Sequence, residues 1–107
     1  MDEKTSFVLV FGNTPVVRVL DFLLDNQEFD YSLTDIAKGA AVGWTTLHQF
    51  FADVIQLGIV RKTRKIGRAE LYKLNTENPL VKKLVEVDVM VSKQMMRKAR
   101  IKQKVLV

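Results

Sequence analysis

Apolar positions along this chain keep a helical spacing, switch once to alternation, and return to a helical spacing at the end. Val16, Val19, Leu20, Leu23 and Leu24 recur every three to four residues up to about Asn26, which predicts an amphipathic helix. Thr14-Pro15 opens it, since threonine caps and proline suits the first helical position. Gln27 to Asp30 is a polar loop. Ser32-Leu-Thr-Asp35 has the form of a capping box with Asp in place of Glu or Gln, so a short helix follows, with Ile36 and Ala37 inward and an end near Gly39. A further helix is predicted from about Trp44 to Leu57, with Leu47, Phe50, Phe51, Val54 and Leu57 as its apolar stripe and Gly58 as its stop.

The period then changes. Ile59 to Lys65 and Ala69 to Asn75 alternate apolar and charged residues around Ile66-Gly67-Arg68, which predicts a β-hairpin with glycine in the turn. Asn78-Pro79 starts a long helix in which Leu80, Leu84, Val87, Val91 and Met95 keep the helical spacing to Arg100 or beyond. Phe7-Val-Leu-Val-Phe11, apolar and bounded by Gly12-Asn13, reads as a strand or an extended arm. The expected class is mostly α with one small β-hairpin.

Within this order, residues 33 to 52 fit a helix-turn-helix. Ile36 and Ala40 are apolar where the first helix packs inward, Ala37 is small at the crossing, Val42 follows the turn, and Leu47 and Phe50 anchor the second helix. Two helices crossing at ~90–120° through a short turn leave little space there, which gives each residue type a steric reason. A helix-turn-helix followed by Leu57-Gly-Ile-Val60, a basic strand, a glycine turn and a returning strand is the order of a winged helix.

On Ser-Leu-Thr-Asp-Ile-Ala (32–37), Thr-Thr-Leu (45–47), Leu-Gly-Ile-Val (57–60) and Thr-Arg-Lys-Ile-Gly-Arg-Ala-Glu-Leu-Tyr-Lys-Leu-Asn (63–75), the stretch from 14 to 75 resembles the winged helix-turn-helix transcriptional regulators of archaea and bacteria, broadly the MarR-like and ArsR-like group. The last of these segments looks especially like small archaeal regulators. The resemblance implies a recognition helix in the major groove, a wing against backbone or minor groove, and a dimer. Two positions depart from it. Ala41 stands where the group often has glycine, and Gly43 where it has a serine or threonine cap. An alanine at positive φ costs about 1–2 kcal/mol, and a glycine cap offers no side-chain acceptor.

Charge changes the picture next. The chain of 107 residues carries a net +5, but unevenly. Residues 1–57 hold three basic residues (Lys4, Arg18, Lys38) and eight acidic ones, while residues 58–107 hold fourteen basic and four acidic. A polyanion would therefore meet the second half. In the hairpin, Lys62, Arg64, Lys65 and Arg68 are candidate phosphate contacts, alongside Arg61 and Lys73. A charged hairpin also resists edge pairing, which is the plainer reason for such residues. On the second helix, Trp44, Thr45, His48 and Gln49 lie opposite Leu47 and Phe50, toward the end that reaches base edges. Gln49 suits adenine, Thr45 a base or phosphate, and His48 guanine or a phosphate. The same four residues also describe a merely solvated face. Trp44 has two readings, a contact to sugar or thymine methyl, or a place in the core under the turn.

The C-terminal helix divides similarly. Leu80, Leu84, Val87, Val91 and Met95 are expected at a dimer interface, with Met90 and Met96 as filler. Lys93, Arg97, Lys98, Arg100, Lys102 and Lys104 form a basic tail, read either as a further DNA contact or as cations suited to a helix C-terminus. The division expected is a winged-helix domain over 1–78 (helix-turn-helix 33–52, wing 59–75) and a dimerisation helix with basic tail over 79–107.

Chemistry adds exclusions. The chain has no cysteine, which rules out a disulfide framework or thiolate zinc site and fits a reducing cytosol. No signal-peptide pattern is visible at the N-terminus, and no apolar stretch nears the ~20 residues of a membrane span, so a cytoplasmic protein is expected. With a single histidine, no glycine-rich phosphate loop and no acids grouped around His48, no catalytic residue, metal ligand or cofactor is expected. The sequence reads as a dimeric, sequence-specific regulator of double-stranded DNA. The alternatives are a winged-helix protein-interaction module of a transcription or replication assembly, and a plasmid or viral DNA-organising protein.

Overall fold

The computed structural model describes residues 5–106, with side chains to Lys98. Its elements are α1 (Ser6–Phe11), α2 (Pro15–Asp25), α3 (Leu33–Ala40), α4 (Trp44–Gln56), β1 (Val60–Ile66), β2 (Ala69–Leu74) and α5 (Pro79–Leu106). Arg100, Lys102 and Lys104 of the basic tail lie on α5, with side chains outside the described residues.

The predicted starts hold. Thr14 accepts the Val17 N–H with Pro15 in the first turn, and Ser32 accepts the Asp35 N–H. Asn78 accepts the Leu80 N–H and donates through Nδ2 to the carbonyls of Leu57 and Gly58, at 3.0 and 2.9 Å. It thereby ties the end of α4 to the start of α5.

The N-terminal segment is a correction. Residues 7–11 are neither strand nor arm but the short helix α1. Thr5 caps it by accepting the Val8 N–H, and the Gly12 N–H closes it on the Val8 carbonyl. Phe7 and Phe11, one turn apart, bring their ring centroids to 4.8 Å, a contact that helical spacing provides and a strand does not. A short apolar run carries no period of its own, so the helix here is set by its caps and by α5, against which it packs.

The core gathers one face of every element. Val19, Leu23 and Leu24 of α2, Ile36, Ala37 and Ala40 of α3, Leu47, Phe51 and Val54 of α4, Tyr72 and Leu74 of β2, and Val81 of α5 are all buried. Phe50 is only half-buried against it. Leu57, expected in the α4 stripe, is instead the residue after the helix and is 60% exposed, because the chain turns there to enter β1.

The hairpin is tighter than the sequence pattern implied. Ile66 pairs with Ala69, leaving only Gly67-Arg68 as the loop. Gly67 adopts φ 61° and Arg68 has no positive φ, the pattern of a type II′ turn, whose twist suits a hairpin. The register slips between Lys62 and Arg64, so Thr63 is a bulge. β2 also has a partner on its other edge. Tyr31 and Tyr72 exchange both backbone hydrogen bonds at 2.8 Å, which fixes the residue before the Ser32 cap of α3 to the sheet.

Candidate nucleic-acid interface

The turn between α3 and α4 decides how α4 is presented. Ala41 sits in the left-handed region at φ 56°. Its N–H bonds the Lys38 carbonyl and the Val42 N–H bonds the Ala37 carbonyl, which together make a Schellman closure with Val42 and Ala37 buried beside each other. Arg18 of α2 completes the turn. Its guanidinium donates to the Ala40 carbonyl at 3.1 Å, the Ala41 carbonyl at 3.3 Å and Asn13 Oδ1 at 3.0 Å. A cation on the last carbonyls of a helix satisfies orphan acceptors and offsets the end of its dipole. Gly43 caps α4 without any side-chain hydrogen bond.

α4 then turns Trp44, Thr45, His48 and Gln49 to solvent along one face, opposite the buried Leu47 and Phe51. Trp44 is 57% exposed, so it is not tucked under the turn. Its ring packs on His48, with centroids 3.7 Å apart and planes tilted by 45°. Trp44 and His48 form one wall of a groove of about 250 Å³ whose other wall is Arg68, Ala69, Glu70 and Tyr72. The start of α3, at Ser32 to Thr34, makes its floor. The exposed Lys38 lies on a second groove with Ala41, Gly43 and Trp44.

The basic residues of the hairpin are not equivalent. Lys62 pairs with Glu70 at 3.4 Å. The Tyr72 hydroxyl also donates to Glu70, at 3.0 Å, and these partners hold the Glu70 carboxyl below its ordinary range, the Tyr72 bond foremost. Arg64 is held by Asp30 through two bonds, Nε to Oδ2 at 2.9 Å and Nη2 to Oδ1 at 3.1 Å. The Thr63 hydroxyl donates to the same carboxylate at 2.6 Å. Hydrogen bonding by Arg64, then by Thr63, pulls the Asp30 carboxyl down to about 2. Among the described residues, Lys65 and Arg68 have no carboxylate within ion-pair distance.

On α5, Val81 is fully buried, and Leu84 and Val85 pack on the core. Val87, Val91 and Met95 are half-buried, while Leu80, Val89, Met90 and Met96 are exposed. Val91 and Met95 join Val10 of α1, with Gln94, Arg97 and Lys98, around an apolar groove of about 580 Å³.

No family model and no curated protein matches the sequence. Solved structures match the fold. Sso10a-2, a DNA-binding protein from Sulfolobus solfataricus, aligns over 84% of this chain and 94% of its own, with a TM-score of 0.53 and 12% identity. MepR, a transcription regulator of the Staphylococcus aureus multidrug efflux pump MepA, aligns over 78% of this chain with a TM-score of 0.61 and 19% identity. NadR, solved in complex with 4-hydroxyphenylacetate, aligns over 83% with a TM-score of 0.58 and 18% identity. The fold is a winged helix-turn-helix.

This chain spans 60% of the MepR chain and 63% of the NadR chain. α4 stands at the position of the recognition helix in the winged-helix fold, and β1–β2 at that of the wing. The structure brings the four recognition-helix residues onto one face and sets Arg68 across the groove from Trp44 and His48. It separates Arg64 from them by tying it to Asp30. Sequence reasoning missed three polar residues. Arg18 and Asp30 were counted only as charges in an acidic half, and their partners lie 22 and 34 positions away. Lys38 was missed for the same reason, although it sits one turn before Ala41. No helix is long and apolar enough to cross a membrane among the described residues.

Proposed function

We propose that this protein is a sequence-specific, double-stranded DNA-binding transcription regulator that acts as a cytoplasmic homodimer and has no enzymatic activity. The observation that carries the reading is the pairing of an exposed, polar recognition-helix face with a wing tip whose Lys65 and Arg68 have no carboxylate within ion-pair distance among the described residues. Recognition by a helix in the major groove needs the first, and attachment to phosphates needs the second. The recognition helix carries no lysine or arginine, and Asp53 on it repels phosphate, so affinity comes from the wing, with Lys38 beside the turn. Residues 79–100 pair two copies through Leu80, Val87, Val91 and Met95, with Leu84 of the same stripe packed on the core, and half-sites then lie about one helical turn apart as an inverted repeat. The first 78 residues act as the DNA-binding domain and the remainder as the dimerisation helix and basic tail. The DNA-binding and regulatory descriptions of Sso10a-2 and MepR support this reading at the level of fold.

Selection of bound sequences from a random duplex pool tests it. A palindromic consensus is expected; recovery of no enriched sequence would remove sequence specificity. A second reading, a protein-interaction module, is favoured by the exposed Trp44 on an uncharged helix. Charge reversal at Lys65 and Arg68 separates the two, because it abolishes DNA binding on the first reading and spares a partner complex on the second.

A further inference from the structure

The base of the wing packs into the core, but among the described residues the hydrogen bonds that join its strands to the segment leading into the helix-turn-helix all come from one dipeptide, Asp30-Tyr31. Tyr31 pairs with β2 through its backbone, and Asp30 reaches to β1 with its side chain. The next residue, Ser32, is the cap of α3. The grip on β1 falls at the bulge, where the strand ladder is interrupted and the hairpin is easiest to bend. Asp30 takes the hydroxyl of the bulged residue, Thr63, and the guanidinium fork of the residue after it. A bidentate arginine–carboxylate pair fixes orientation as well as distance. The Asp30 side chain is 17% exposed against 60% for Arg64, so the carboxylate is largely covered by the groups it holds.

We propose that Asp30 is a positioning residue for DNA binding. Through Thr63 and Arg64 it sets the angle of the wing against the helix-turn-helix, and Arg64 serves this clamp rather than a phosphate. This rests on the DNA-binding reading for its consequence, but the clamp itself can be tested without DNA. The chain has no cysteine, so spin labels at Ile66→Cys on the wing tip and Gln56→Cys at the end of α4, in labelled chains diluted with an excess of unlabelled parent protein, report the one distance within a protomer. The parent protein should give a single narrow distribution. Asp30→Ala and Arg64→Ala should each broaden it or shift it by several ångströms, and the exchanged pair Asp30→Arg with Arg64→Asp should narrow it again. Circular dichroism checks that the helices are intact in each.

On DNA, Asp30→Ala and Arg64→Ala should weaken specific binding about tenfold while leaving non-specific binding and the salt slope unchanged. Arg68→Ala should instead reduce the slope by about two per dimer, one for each wing. An unchanged distance distribution in Asp30→Ala would overturn the clamp. A salt slope lowered by about two per dimer in Arg64→Ala would overturn the assignment of Arg64. Absence of any DNA binding by the parent protein would sink the functional reading while the label distances still decide the clamp.

Discussion

At the scale of single residues, the atypical turn is supported from outside itself. Ala41 carries the strain of a left-handed alanine, about 1–2 kcal/mol, and Arg18 holds the carbonyls on either side of it. Ala41→Gly should relieve the strain and stabilise the fold by about 0.5–1 kcal/mol, after the entropy that glycine costs in the unfolded chain. Arg18→Ala should destabilise it by about 1–2 kcal/mol, since it strands two helix-end carbonyls. Urea denaturation of both variants checks the pair. A stabilising Arg18→Ala would mean that the turn stands without its brace. The sequence showed that Ala41 and Gly43 depart from the usual pattern, because residue identity alone bears on φ and capping. It did not show the remedy, because a side chain 22 positions away becomes a cap only once α2 and α3 are packed.

At the scale of elements, legibility followed length and period. α2, α3, α4 and the hairpin announced themselves through repeated spacing and capping residues. α1 did not, since Phe7 to Phe11 is too short to distinguish period 2 from 3.6, and the surface it packs on belongs to a helix about seventy residues later. The same limit applied within the wing. Four basic residues looked alike in sequence, yet among the described residues Lys62 and Arg64 make ion pairs and Lys65 and Arg68 do not, a distinction made by Glu70 across the hairpin and Asp30 across the domain. The dimer stripe likewise could be counted but not divided, because Val81, outside it, turned out to be the buried anchor of α5.

The junction of α1, α2 and α5 has its own pH signature. Burial raises the carboxyls of Asp21, Asp25 and Asp88 above the ordinary 3.8, and for Asp25 and Asp88 repulsion by Asp21 adds to it. Thr5 donates to Asp21 Oδ2, while Asp21 Oδ1 is buried with no hydrogen-bond partner among the described residues. A carboxyl raised on folding favours the folded state while it is protonated, and that advantage is lost as pH rises through its folded value. Asp88→Asn should therefore raise the Tm at pH 7, by about 2 °C for a partly exposed site, and leave it unchanged near pH 3. Equal gains at both pH values would point to packing instead of charge.

At the scale of the whole molecule, α1 and the outer half of α5 leave Leu9, Val10, Phe11, Val89, Met90 and Met96 exposed. A patch of this kind beside a long helix is the reason a second copy is expected there. Sedimentation equilibrium should give a dimer, and Val91→Glu with Met95→Glu should shift it to monomer and weaken binding to an inverted-repeat site. A monomeric parent protein would leave the recognition helices without a geometric reason for half-site spacing.

The central claim is that the recognition helix supplies the shape and the wing tip the charge for binding duplex DNA. Fluorescence anisotropy of a labelled duplex, titrated across a range of salt concentrations, tests it most directly. The account predicts a linear fall of log affinity with log salt, with a slope that drops by about two per dimer, one for each wing, for Lys65→Ala and again for Arg68→Ala. Binding that is absent at low salt, or a slope indifferent to both substitutions, would contradict it.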